Sequence, residues 1–168
     1  MTNTTKSSNI GFLYQKSNGS VSLTDTTTYY ANYSVGNTYI TFTDVFYDAF
    51  GSCKLTNAYA YYEGDSSLTG FELYLFSRTP SSTIADGTTF TISPSDLPYF
   101  LGISFLDTNS YDSGTFYTLT SGTTPISILE NSDGSTNLYG VLVANPYGVG
   151  GITALSSPLN IYLNVQQD

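Results

Sequence analysis

Histidine and tryptophan are both missing from the 168 residues, and cysteine occurs once. Without imidazole, nucleophilic triads, histidine acid-base catalysis and histidine metal ligation are closed to the chain. Cys53 has no second cysteine to bridge and no histidine to activate it, which leaves the reading of a small buried hydrophobe. Basic residues are almost absent: Lys6, Lys16, Lys54 and Arg78 are scattered among thirteen acids, giving a formal net charge of -9. Phosphate binding runs on clustered lysine and arginine, so no nucleic-acid partner is expected. No stretch approaches the roughly 18 apolar residues of a membrane span, so no membrane partner is expected either. The opening MTNTTKSSNI lacks the apolar segment of a signal peptide, and the expectation is a chain made in the cytoplasm and not exported by that route.

Charged residues make up 10% of the chain, well below the roughly one quarter usual in soluble domains. Solubility must come instead from serine, threonine, asparagine, glycine and the tyrosine hydroxyls. Sixteen tyrosines and ten phenylalanines are far more than unstructured chains carry, so the sequence is that of a folded domain. Its length suffices for one domain with its own core.

From Val21 onward, short runs of alternating polarity follow one another with turn residues between them. TTYYANYSV sets Tyr29, Ala31, Tyr33 and Val35 on one side, and ITFTDVF sets Ile40, Phe42, Asp44 and Phe46 together. Gly36-Asn37 between them is a hairpin signal. NAYAYY, FELYLF, TFTIS, FLGISF, TFYTLT, ISIL, LYGVLVA and LNIYLNV continue the series, and ENSDGSTN, with Asp133-Gly134, is read as a surface hairpin loop. SPSDLPYF suggests one short helical turn, capped by Ser93 with Pro94 at its first position. Such a pattern predicts an all-β fold, a two-sheet β-sandwich of jelly-roll type or, as the alternative, an immunoglobulin-like sandwich. Residues 1–20 are polar and rich in serine, threonine and asparagine. They are expected to form a flexible or partner-ordered arm anchored by Phe12, Leu13 and Tyr14, ahead of a single domain over 21–168.

The strand FELYLF poses a problem of coverage. Phe71, Leu73 and Leu75 share one face, and Glu72, Tyr74 and Phe76 share the other, which is too apolar to face water. Tyr139, Val141 and Val143 raise the same difficulty opposite Leu138 and Leu142. LNIYLNV alternates cleanly, with Leu159, Ile161, Leu163 and Val165 inward and Asn160, Tyr162 and Asn164 outward. The expectation is that a neighbouring subunit covers Tyr74, Phe76, Tyr139 and Val141; long connections at residues 64–70 and 145–158 are the other candidates for the cover.

Carboxylates are the one remaining source of chemistry. Asp44, Asp48, Glu63, Asp65 and Glu72 could supply the facing pair a glycosidase needs, and Asp107, Asn109 and Asp112 before Gly114 have the look of a calcium loop. That loop lacks the closing bidentate glutamate, and acids in loops are usually solvating groups. The expectation is a protein without catalytic residues, cofactor or metal.

ELYLFSRTPSSTIADGTTFTISPSDLPYFLG, followed by LYGVLVANP and LNIYLNVQQD, resembles the small β-rich structural proteins of tailed bacteriophage virions. The shared elements are a strand ending in phenylalanine, a proline-containing link, an aspartate before a Thr-Phe strand, a Ser-x-x-Asp turn and a terminal strand ending in Gln-Asp. The resemblance covers residues 29–168 and implies a virion location, in a protein assembled inside the host and released by lysis. It implies a capsid decoration or cement protein, with the major capsid protein or another virion protein as partner and a homotrimeric assembly. The alternative is a receptor- or glycan-binding module of a head or tail fibre.

Overall fold

The computed structural model describes residues 14–21, 33–46, 53–62, 71–111, 114–119, 127–128, 134–144 and 159–167. These residues form nine strands and one 3-10 turn. The strands are β1 (Tyr14–Val21), β2 (Ile40–Phe42), β3 (Cys53–Tyr62), β4 (Phe71–Phe76), β5 (Phe100–Tyr111), β6 (Gly114–Leu119), β7 (Ser127–Ile128), β8 (Leu138–Ala144) and β9 (Leu159–Gln167). Every pairing is antiparallel. Backbone pairing runs without a break in the order β1-β9-β3-β6-β5-β4-β8-β2, with β7 added beside β3.

This continuous sheet folds over on itself into two layers. Ile161, Leu163 and Val165 of β9 and Leu55 and Ala58 of β3 share one core with Phe71, Leu73 and Leu75 of β4, Leu138 and Leu142 of β8, and Ile40 and Phe42 of β2. Alternation is the cause: strands send every second residue inward, and neighbouring strands in register align those residues into apolar rows; in β3 a bulge between Leu55 and Asn57 keeps Leu55 and Ala58, three residues apart, on the same inward face. The β9 alternation holds as expected, with Ile161, Leu163 and Val165 fully buried and Asn160, Tyr162 and Asn164 half-buried on the opposite face. Cys53 is buried, also as expected. Gly140 on β8 lets the side chains of its two flanking strands, β4 and β2, close over it: a methyl group there would stand 2.9 Å from both Leu73 Cδ1 and Phe42 Cε2.

Several local expectations need correction. The stretch assigned to an arm through residue 20 enters the sheet at Tyr14, since β1 pairs with β9 from Tyr14 opposite Gln166 to Val21 opposite Leu159. The segment adds to an edge of its own chain's sheet, and the domain therefore begins before Val21. Phe12 and Leu13 lie outside the described residues. Gly36-Asn37 does not turn a hairpin, because the residues on both sides line the same strand: Ser34 bridges Val143, and Ile40 pairs with Gly140. Gly36, at a φ of 92°, instead bends this edge segment outward, a conformation that costs glycine little. ENSDGSTN does not join a hairpin either, as β7 pairs with β3 and β8 with β2 and β4. TFTIS forms no strand beyond a single bridge from Thr89 to Tyr33. The helical turn comes later than expected, at Leu97–Tyr99, with Asp96 in place of Ser93 at its start.

Candidate functional site

The outer face of β4 and β8 is closed by the chain itself. Phe76 and Val141 are fully buried, Val143 and Tyr139 nearly so, and they cluster with Phe90, Ile84, Ile92, Phe100, Tyr39 and Tyr74. Residues 77–99, between β4 and β5, lie across this face as a strap. Phe90 meets Tyr74 edge-on at 5.4 Å between ring centroids, and Phe100 lies 5.5 Å from Phe76. Tyr39 meets Tyr139 edge-on at 5.7 Å. The expected subunit interface at Tyr74, Phe76, Tyr139 and Val141 is thus corrected: the chain's own residues 77–99 pack on these side chains, while the two long connections at 64–70 and 145–158 lie outside the described residues.

Two polar latches hold the strap. Asp96 is 1% exposed, and its carboxylate accepts hydrogen bonds from the Ser81 amide at 2.9 Å, the Ser81 hydroxyl at 2.8 Å, the Ser82 amide at 2.6 Å and the Ser82 hydroxyl. Burial alone would raise its pKa; the bonds from Ser82 and Ser81 outweigh burial and hold the carboxyl below the usual range. The Ser82 hydroxyl in turn accepts from the Ser93 amide at 2.8 Å, so both ends of the strap meet at this acid. At the second latch, Asp86 Oδ1 accepts from the Gly36 amide at 2.7 Å, and the Asp86 amide donates to Asn37 Oδ1 at 3.0 Å. The Ser34 amide donates to the Thr88 carbonyl at 2.8 Å, and the Gly87 amide to the Ser34 carbonyl at 3.0 Å. The strap thereby also pairs with the edge segment beside β8. The serine pair 81–82 and the SPSD turn carry a trace of the first latch in the sequence.

Glu72 is the carboxylate that the strap leaves in an apolar setting. It is 6% exposed on the outer face of β4, opposite Val143, and accepts a hydrogen bond from the Tyr74 hydroxyl at 3.0 Å. Burial pushes its pKa above the usual carboxylate value, and the Tyr74 bond partly offsets that. Burial and the neighbouring Glu72 together push Tyr74 up to about 12. Asp44 does not join Glu72: it is exposed in the bend after β2, at a φ of 53°, and accepts from the Thr136 hydroxyl at 3.0 Å. Asp48, Glu63 and Asp65 lie outside the described residues. The proposed calcium loop is a hairpin instead, with Asp107 and Asn109 in the β5–β6 ladder opposite Thr118 and Phe116; Asp112 lies outside the described residues. Among the described residues no cluster of three metal-ligating side chains occurs.

The outer face of the other layer differs in kind. Asn160, Tyr162 and Asn164 stand along β9, and Tyr59 of β3, directly opposite Tyr162, stacks on it at 4.9 Å with 16° between the ring planes. All four are half-buried and none carries a charge. This face presents aromatic surface and amides side by side, which suits recognition more than chemistry. Compared with known proteins, the chain matches no family model and has no significant match among curated proteins or solved structures.

Proposed function

We propose that the chain is a non-enzymatic structural protein of a tailed-phage virion, a decoration or cement protein that binds the capsid shell and strengthens it, and that its sheet is wound as a jelly roll. The observation that carries this reading is the nested strand pairing. β1 pairs with β9, β2 with β8, β3 with β6 and β4 with β5. With the short β7 set aside, first meets last and each inner pair repeats the rule, as in a long hairpin rolled around a core. Viral capsid domains use that winding. A fold hosts many functions, so the resemblance in ELYLFSRTPSSTIADGTTFTISPSDLPYFLG supplies the link to the particle. The homotrimer and the major capsid protein as partner follow from the resemblance alone, since the β4–β8 face needs no subunit to cover it.

A second reading, a glycan-binding module of a head or tail fibre, is favoured by the Tyr59–Tyr162 stack. To test the first, purified particles are analysed for the chain by mass spectrometry, and particles made without it are heated with and without the purified protein. Decoration predicts that the chain is present and that adding it back raises the temperature at which shells rupture. Its absence from particles, or unchanged rupture, would sink the proposal.

A further inference from the structure

We propose that the turn Leu97–Tyr99, together with Arg78, is the face through which the chain docks on the shell, and that it receives there a protein segment carrying a carboxylate beside an apolar side chain. The inference rests on the decoration reading for where its partner is found, and it adds which face binds and what chemistry it meets.

At this turn the described residues depart from their pattern of burial. Leu97, at 56% exposure, is the only large apolar side chain among them that stands in solvent, and Pro98 beside it is exposed as well. A lone exposed leucine is ordinary, but this one sits on a rigid mount. Pro98 has its φ fixed by its ring. The Tyr99 amide donates to the Asp96 carbonyl at 2.9 Å, and the Ser77 amide donates to the Tyr99 carbonyl at 2.9 Å. Asp96 before the turn is buried and bonded to Ser81 and Ser82, and Phe100 after it packs on Phe76. Little backbone freedom is left to lose on binding.

Arg78 supplies the charge. It is the chain's only arginine and is half-buried, with its guanidinium 3.8 Å from the centroid of the Tyr99 ring. The stack holds the plane of the fork and leaves its edge free: among the described residues, no hydrogen bond or ion pair engages these N–H groups. The acids of β4 and of the strap bond elsewhere, Glu72 with Tyr74, Asp86 with Gly36, and Asp96 with Ser81 and Ser82. A planar guanidinium with a free edge meets a carboxylate through two parallel bonds. Arginine and tyrosine are also enriched among the residues that dominate protein interfaces, and Leu97 and Pro98 give the partner an apolar contact beside the charge. One guanidinium on a chain of net charge -9 is too little to hold nucleic acid or an anionic lipid surface. A single carboxylate next to an apolar side chain needs only this fork and this leucine.

The test titrates shells made without the chain with the purified full-length protein and measures what sediments with them. Arg78→Ala should weaken binding about tenfold or more, and Arg78→Lys, which keeps the charge but not the planar fork, should not restore it. Leu97→Ala should weaken binding about fivefold, and Leu97→Asp, which sets a like charge before the partner's carboxylate, should abolish it. Lys54→Ala removes the same charge from an exposed position on β3 and should leave binding unchanged. Since Leu97 is exposed, its variants should melt with the parent, which separates lost docking from lost folding. If the parent binds and the Arg78 and Leu97 variants bind equally well, the docking face is wrong and the decoration reading stands. If the parent does not bind, both are overturned. Equal losses in Lys54→Ala and Arg78→Ala would overturn the proposal in favour of bulk charge. Self-association of the parent abolished by Leu97→Asp would overturn it in favour of a contact between copies.

Discussion

The outer faces of β4 and β9 start from the same rule and end differently. Each strand buries its inward residues completely: Phe71, Leu73 and Leu75 in β4, and Ile161, Leu163 and Val165 in β9. Outward, β4 shows Glu72, Tyr74 and Phe76, whereas β9 shows Asn160, Tyr162 and Asn164. The first set cannot remain in water without exposing a continuous apolar patch, and the chain spends residues 77–99 on covering it. The second set, two amides and a phenol, stands half-buried with polar groups of its own. A strand's outer face thus foretells whether the fold must supply a third layer, which is a stronger statement than the presence of a strand.

The largest expected break in this contrast is Phe76→Ala against Tyr162→Ala. Removing the buried ring should cost about 3–5 kcal/mol of unfolding free energy. Losing the half-buried tyrosine should cost much less, about 0.5–1.5 kcal/mol for its stacking beyond area burial. Urea denaturation followed by tyrosine fluorescence reads both. Equal losses would mean that the strap gives Phe76 no more cover than β9 has.

Asp96→Asn probes how the cover is held. The side chain accepts bonds from two amides and two hydroxyls, and bonds to a charged group contribute about 1.5–3 kcal/mol each before compensation. A net loss of about 2–3 kcal/mol is expected. Its pKa in the folded chain is lowered, so the folded chain binds this proton more weakly than the unfolded one. The stabilisation is therefore present above the ordinary carboxyl value and lost as pH falls through the depressed one. Thermal melts between neutral pH and pH values below the ordinary carboxyl range should show this acid-side loss in the parent and a flatter profile in Asp96→Asn.

Glu72→Gln should have the smallest effect and the opposite sign. Burial raises this pKa, so its contribution to stability is complete below the unfolded value and is lost as pH rises through the folded one. The glutamine variant should melt higher than the parent at neutral pH, and the gain should vanish near the ordinary carboxyl pKa. A lower melting temperature at neutral pH would show that the ionised carboxylate is favourable where it stands.

Local pattern carried much of the fold. The inward rows of β4, β8 and β9 and the all-β class follow from period-2 alternation, which depends only on the pleat, and the burial of Cys53 follows from its having neither a cysteine to bridge nor a histidine to activate it. Hairpin signals served less well, since Gly36-Asn37 and Asp133-Gly134 state that the chain bends and not which strands the bend joins. The two outer faces were also legible as faces: FELYLF looked too apolar for water and LNIYLNV did not.

The sequence by itself determined that this is a tyrosine-rich, acidic β domain without imidazole chemistry, because composition and alternation are local properties that no packing can change. Tertiary structure alone decided what covers Tyr74 and Phe76, that Asp96 joins the two ends of the strap through Ser81 and Ser82, and that Tyr59 comes to lie against Tyr162 from a strand about a hundred residues earlier. Each of these is a meeting of distant segments. Its free energy comes from surface removed from water and from hydrogen bonds that exist only once the whole sheet has closed.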